Sequence, residues 1–319
     1  MYNEAQKMEF LNSGIVAPGS MNLAANLFKS CEKFELAWGA DVCTRTREEV
    51  QPMINVIFGM KVQSISSRFN ILQRYIKWCL DNHIPGARDD LLHIQPDLVS
   101  IVGQRTVPNP VALQRILDLT FHPERMQTSD NVSRAYFWLA FSGVMQAESY
   151  LITTNEIDLA RAVITHKGRE YRIYREAIPS FLNCMNLTEF NIFGRNGTVK
   201  RVPGDNLLRT SSKRDARDKF PHSVLWHSSM KLKDTYEYGS IDTKLSYERV
   251  WSSGVFYRQF ELENAGFKVD FRDVVKFQMS STEYSEKMME PDNQAAIKSK
   301  LLRAYREDYD NWKRAFYNK

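Results

Sequence analysis

Four late tyrosines (Tyr284, Tyr305, Tyr309 and Tyr317), with a carboxylate at Glu148, a lysine at Lys167 and an arginine at Arg258, are among the many residues of this chain whose types could take part in phosphodiester chemistry. A phenol has a pKa of about 10, so it attacks a phosphate usefully only where cationic donors stabilise the developing charge. With 14 tyrosines in 319 residues, a late tyrosine alone is a weak signal. Lys167 and Glu148 read most simply as a phosphate contact and a buried or capping carboxylate. Other chemistry finds no support. His222 and His227 flank Trp226 without further ligands at metal spacing. Cys31, Cys43, Cys79 and Cys184 form no CxxC pair. Gly194, Gly197 and Gly204 make neither a dinucleotide fingerprint nor a P-loop, and no Gly-x-Ser-x-Gly elbow occurs. No metal and no cofactor is expected.

Positive charge is concentrated in two places. Between Arg195 and Lys219 stand eight basic residues (Arg195, Lys200, Arg201, Arg209, Lys213, Arg214, Arg217, Lys219) against Asp205, Asp215 and Asp218. That local excess equals the +5 of the whole chain. Thr210, Ser211 and Ser212 lie among them, side chains that suit phosphate oxygens. The second cluster is Arg161, Lys167, Arg169, Arg172 and Arg175. Such groups would make binding to a polyanion steeply salt-dependent. A merely solubilising basic loop is the alternative reading.

The elements that must position these residues divide in two. Leu23, Leu27, Cys31, Phe34 and Trp38 recur at three- and four-residue steps, which predicts a helix over 22–38. Thr46 and Glu49 have capping-box spacing. Phe69, Leu72, Ile76, Cys79 and Leu80 make one apolar face of a helix over 64–82, with Arg68, Arg74 and Lys77 elsewhere on it. By themselves those three cations read as a solvated face. Pro85-Gly86 and Val107-Pro-Asn-Pro-Val111 are breaks. They predict a helical domain over 1–95, a linker over 96–110 and a second domain over 111–319. In the latter, helices are expected over 110–119, 132–141, 247–265 and 297–316, and from Pro179. Ala162–Ile164 and Tyr171–Tyr174 flank His166-Lys-Gly-Arg169, a hairpin with glycine in its turn. The fold class is therefore mainly α with a small β-hairpin, in two domains. The stripe Leu301, Leu302, Tyr305, Tyr309, Trp312 and Phe316 could dock on a core or on a partner.

Composition agrees with a globular protein: 43% hydrophobic and 25% charged residues. No apolar run approaches the roughly 20 residues of a membrane span, and the N-terminus lacks the pattern of a secretory signal. The expected compartment is the cytoplasm, with reduced cysteines.

The order from Ala135 to Leu187 resembles the catalytic domain of tyrosine recombinases, the phage integrase family. In Phe141-Ser-Gly-Val-Met-Gln-Ala-Glu148, Gly143 and Glu148 fall where that family has its glycine and acidic residue. Met145 stands in place of its first catalytic arginine. Ile164-Thr-His-Lys-Gly-Arg169 is similar to the hairpin carrying the family's catalytic lysine, here Lys167, and Arg175-Glu-Ala-Ile-Pro179 to the exit that follows. Arg68–Leu80 resembles the last core-binding helix. Counting back from Gly266 sets Ser252 at the histidine and Val255 at the arginine of the His-x-x-Arg box, and no histidine follows Tyr236 in any register.

The resemblance implies a helical core-binding domain and a catalytic-like domain that together clamp duplex DNA. Loss of one charge-stabilising donor costs about 3 kcal/mol, or 10² to 10³ in rate. Three such losses imply a protein that holds DNA without cutting it, and so no enzyme. Within the family the inactivated pattern is most similar to the master repressors of SPβ-type temperate phages. That implies a sequence-specific double-stranded DNA-binding protein that represses transcription to maintain lysogeny in the cytoplasm of a bacterial host. The implied DNA contacts are Arg68, Arg74, Lys77, Lys167, Arg169, Arg172, Arg214, Arg217, Lys219, Lys244, Arg249 and Arg258, with an Arg or Asn at base edges. The alternative is an active, divergent integrase using a C-terminal tyrosine with Arg258 and Lys167. Self-association through the C-terminal helix is a further expectation.

Overall fold

The periodic apolar run that begins near Ser64 forms a 20-residue helix, Val62–Asp81, in the computed structural model of the chain. The structure describes residues 1–57, 62–122, 129–191, 196–211, 246–268 and 291–318. They fall into two units, Met1–Gly103 and Gln104–Lys319.

The first unit is helical: α1 (Glu4–Asn12), α2 (Met21–Trp38), α3 (Arg47–Ile57), α4 (Val62–Asp81) and α5 (Leu98–Gly103). Gly39 ends α2 in the left-handed conformation (φ +64°), where glycine carries no Cβ penalty. Thr46 and Glu49 start α3 reciprocally: the Thr46 N–H donates to Glu49 Oε2 at 2.9 Å, and the Glu49 N–H to Thr46 Oγ1 at 3.4 Å. Helix α1 escapes sequence reading because its apolar residues are too few to form a stripe. It docks through Phe10, whose ring lies 5.9 Å from Phe28 and 5.3 Å from Tyr75. It also buries Lys7, whose ammonium sits 2.6 Å from Glu35 and 3.4 Å from Asp41. Burial pushes the Glu35 carboxyl above the usual carboxylate range in spite of Lys7. Asp41 is held by the Tyr75 hydroxyl and the Cys43 N–H. All four cysteines are buried free thiols.

The second unit is mainly helical with two small antiparallel sheets. In chain order it contains α6 (Pro110–Thr120), α7 (Ser129–Phe141), α8 (Gln146–Ser149), β1 (Ile157–Asp158), β2 (Val163–His166) and β3 (Arg169–Arg172). Then come α9 (Ile178–Met185), β4 (Glu189–Asn191), β5 (Thr198–Lys200), α10 (Tyr247–Asn264) and α11 (Pro291–Phe316). Pro110 starts α6, and the Asn109 side chain accepts from the Ala112 N–H at 2.9 Å. Helix α7 is buried from Asp130 to Phe141, so it forms the axis of the unit's core. Helix α10 crosses it so closely that a Cβ on Gly254 would lie 1.9 Å from the Phe141 carbonyl oxygen. Sheet one has the order β1-β2-β3, and β4 pairs with β5.

The break between units lies at Gly103/Gln104, inside the segment 96–110 expected to be a linker. That segment is pinned on both sides of the break. Helix α5 belongs to the first unit. Beyond it, the Val107 N–H donates to Ser253 Oγ at 2.9 Å, Trp312 Nε1 donates to the Val107 carbonyl at 3.1 Å, and the Tyr317 hydroxyl to the Pro108 carbonyl at 2.7 Å. Between α5 and α6 the chain around Pro108 is not helical, and Ser253 of α10, Trp312 of α11 and Tyr317 just beyond α11 satisfy the backbone groups left there. On α11, Tyr305, Tyr309 and Trp312 are buried in their own unit, whereas Leu302 and Phe316 are half-buried.

Candidate nucleic-acid interface

Helix α4 separates its cations. At about 100° per residue, Ser66, Asn70, Arg74, Lys77 and Asp81 line one outer stripe, and all five are exposed. Lys77 pairs with Asp81 at 3.3 Å, both well solvated, and Arg74 Nη1 reaches the Ile15 carbonyl at 3.5 Å. Arg68 lies on the opposite side of the helix, half-buried, with Nη1 toward the Ile57 carbonyl at 3.4 Å. The structure therefore places Arg68 away from Arg74 and Lys77. The reason is that six residues turn a helix by more than one and a half turns.

Sequence reasoning passed over a second such stripe. On α2, Asn22, Asn26, Lys29 and Lys33 are exposed at helical spacing, ending at Leu36. The signal was present as the complement of the apolar positions Leu23, Leu27, Cys31 and Phe34.

In the second unit, β2 and β3 pair His166 with Arg169 and leave Lys167-Gly168 as a two-residue turn. Both turn residues have positive φ, +48° and +72°, as a type I′ turn requires. A lysine in that conformation is costly and unusual. It holds Lys167 out at the tip, 57% exposed, with its ammonium 3.7 Å from Glu148. Behind the tip, His166 is buried and its Nδ1 lies 2.7 Å from Glu156. Burial opposes ionisation of Glu156. The Thr153 N–H, His166 and the Thr153 hydroxyl outweigh that, and hold its carboxyl below the usual range.

The turn after α7 is gripped by α10. Trp251 Nε1 donates to the Gly143 carbonyl at 2.8 Å, and the Tyr247 hydroxyl to the Val144 carbonyl at 2.9 Å. Gly143 takes φ +97°. Met145 follows, half-buried, just before α8. Ser142, Gly143, Arg172, Tyr174, Val255 and Arg258 line one cleft. Arg172 is exposed, paired with Glu261 at 3.2 Å and stacked on Tyr174 at 5.1 Å. Val255 is buried, and the Ser252 hydroxyl is turned onto its own helix, donating to the Glu248 carbonyl at 2.9 Å. Arg258 is half-buried, three residues along the helix from Val255. Arg249 is nine residues before Arg258, so it stands on the opposite face of α10. Burial keeps the Arg249 guanidinium below its ordinary pKa. Arg169 is half-buried on β3. The structure thus brings Arg172 and Arg258 together, and Lys167 with Glu148, but not Arg249 with Arg258.

The described late tyrosines are committed elsewhere. Tyr305 and Tyr309 are buried, and the Tyr309 hydroxyl donates to Glu263 at 2.7 Å. Burial raises the pKa of Tyr309, and Glu263 adds to it; burial likewise raises that of Tyr317. Tyr284 lies outside the described residues.

Arg201 is buried rather than presented to a ligand. Its guanidinium donates to the carbonyls of Cys184 at 2.6 Å, Leu187 and Arg209 at 3.0 Å each, and also Leu207. It caps the C-terminal end of α9, where a cation is favoured. Arg214, Arg217, Lys219 and Lys244 lie outside the described residues, as do His222 and His227. Among the described residues no group of three His, Cys, Asp or Glu could hold a metal. No described helix is long and apolar enough to cross a membrane.

Residues 1–81 match a family model described as the N-terminal core-binding domain of MrpR. No curated protein matches the chain. Among solved structures, the chain is similar to XerA recombinase at 11% identity, with a TM-score of 0.37 over 94% of this chain and 98% of that one. It is also similar to the Tn1549 transposon integrase in complex with a circular intermediate DNA, at 12% identity and a TM-score of 0.33 over 93% and 98%. The same integrase with transposon right end DNA gives 13% and 0.32 over 94% and 98%. At such identities and TM-scores the likeness carries no argument about function.

Proposed function

We propose that this protein binds double-stranded DNA sequence-specifically and does not cut it, and that it serves as a transcriptional repressor of the kind that maintains phage lysogeny. The match of residues 1–81 to a core-binding domain supports the DNA partner. The non-cutting part rests on one observation above others. At the turn where the recombinase-like pattern calls for its first arginine, Met145 offers a thioether, and the two positions assigned to the later box are a buried Val255 and a Ser252 bonded to its own helix. A thioether is at best a weak acceptor and supplies no positive charge. The described late tyrosines are hydrogen-bonded or buried, which fits the same reading.

In this reading Arg74 and Lys77 of the first unit and Lys167, Arg169, Arg172 and Arg258 of the second contact DNA. Phosphate contacts set register, and base-edge contacts set sequence. Self-association through α11 would have to use residues other than Tyr305, Tyr309 and Trp312, which are buried. Sedimentation over a concentration range checks that, and a persistent monomer is expected.

The second reading, a divergent integrase, is favoured by one fact: Arg172 and Arg258 line the same cleft as the Gly143 turn. A nicked duplex that traps a phosphotyrosine separates the two. Non-cutting predicts a complex that denaturing detergent dissolves completely. A covalent protein–DNA band lost in a tyrosine-to-phenylalanine variant establishes the integrase.

A further inference from the structure

The outer stripe of α4 differs from an ordinary solvated helix face in its order of side chains. From Ser66 through Asn70, Arg74 and Lys77 it carries hydroxyl, amide, guanidinium and ammonium, with no acid before Asp81. An α-helix fits the major groove of B-DNA, and two side chains make bidentate pairs there: asparagine with adenine N6 and N7, arginine with guanine O6 and N7. Asn70 and Arg74 are those two types, one turn apart on one face, and both are exposed. The stripe on α2 has a different character. Its cations, Lys29 and Lys33, are point charges that suit phosphates rather than planar forks that suit guanine.

We propose that α4 enters the major groove and that Asn70 and Arg74 read base edges, Asn70 at an adenine and Arg74 at a guanine, with Lys77 on a flanking phosphate. This rests on the reading of the protein as a specific duplex-DNA binder. Four residues of helix advance about 6 Å, and a base pair rises about 3.4 Å, so the two contacted base pairs are neighbours or one step apart. The occupant follows from charge and shape. With Arg74 and Lys77 against Asp81 at its end, the stripe keeps a net positive charge and has no apolar side chain among its exposed residues, so a polyanion with a groove of helix width fits it.

The test uses the full chain and a pool of duplexes with a randomised centre, selected for binding and sequenced. Wild type is expected to recover a motif. Asn70→Ala and Arg74→Ala are each expected to lose preference at one base pair of that motif, by roughly 10- to 100-fold. Arg74→Lys should lose the guanine while keeping the salt dependence, because it keeps the charge and loses the fork. Lys77→Ala should weaken every sequence alike and lower the salt slope by about one. Equal unfolding midpoints show that the variants fold, as their exposure leads one to expect. If wild type returns a motif and both alanine variants return the same motif at every position, the assignment to α4 is overturned while specific DNA binding stands. If wild type returns no motif, both fall.

Discussion

Replacing Gly254 by alanine tests how the second unit holds its cleft. A Cβ there would sit 1.9 Å from the Phe141 carbonyl oxygen, 2.6 Å from its carbon and 2.8 Å from its Cα, all backbone atoms that cannot swing aside. A carbon normally approaches a carbonyl oxygen no closer than about 3.3 Å, so α7 and α10 must part by more than about 1 Å. A gap of that size forfeits about half of the dispersion between facing atoms. It also stretches the bonds from Trp251 to Gly143 and from Tyr247 to Val144, now 2.8 and 2.9 Å. Overpacking costs about 1–3 kcal/mol, and each weakened hydrogen bond about 1 kcal/mol. Alanine returns up to about 1 kcal/mol through helix propensity. The net expectation is a loss of about 2–4 kcal/mol, a fall in Tm of about 5–15 °C for a unit of this size. Calorimetry of the full chain resolves the transition of the second unit, with Ser252→Ala as a control on the same helix. A Gly254→Ala protein as stable as wild type, or more stable, refutes the close crossing and the geometry of the cleft built on it.

Three further perturbations follow from other sites. Lys7→Met leaves Glu35 and Asp41 as buried carboxylates without their shared cation, so urea unfolding should show a loss of about 3–5 kcal/mol; a loss under 1 kcal/mol would mean the network is solvated. Lys167→Asn puts Asn-Gly into a turn that prefers it, so stability should rise by up to about 1 kcal/mol while DNA affinity falls. A fall in both would show that the lysine is structural. Because the folded-state pKa of Glu156 is depressed, its contribution to stability is present above about pH 4.3 and is lost as pH falls through the depressed value. Glu156→Gln should therefore flatten the acid limb of stability against pH, and an unchanged limb would remove Glu156 from it.

Long apolar stripes made α2 and α4 legible, because a helix that buries one face must repeat every three or four residues. The hairpin was legible through Gly168, and α3 through its capping pair. Helix α1 was not, since a buried Lys7 with two carboxylates is invisible to hydrophobic patterning. The segment 96–110 reads as a linker from its prolines, but proline marks only the absence of helix; the bonds from Ser253, Trp312 and Tyr317 to Val107 and Pro108 come from residues far away in sequence. The candidate site was legible by residue type but not by face. Counting basic residues joined Arg68 to Arg74, Arg249 to Arg258 and Arg201 to its exposed neighbours, whereas helical phase and burial separate each of them. It also passed over Asn70, because a neutral amide adds nothing to a count of charge.

The most direct test of a specific, non-cutting DNA binder is to mix the full chain with fragmented source-genome DNA near physiological salt, sequence what is retained and assay the same material for covalent adducts. A recurrent short motif upstream of genes, with no adduct, is the predicted result. Adducts at a defined site, or retention without any shared motif, would contradict it.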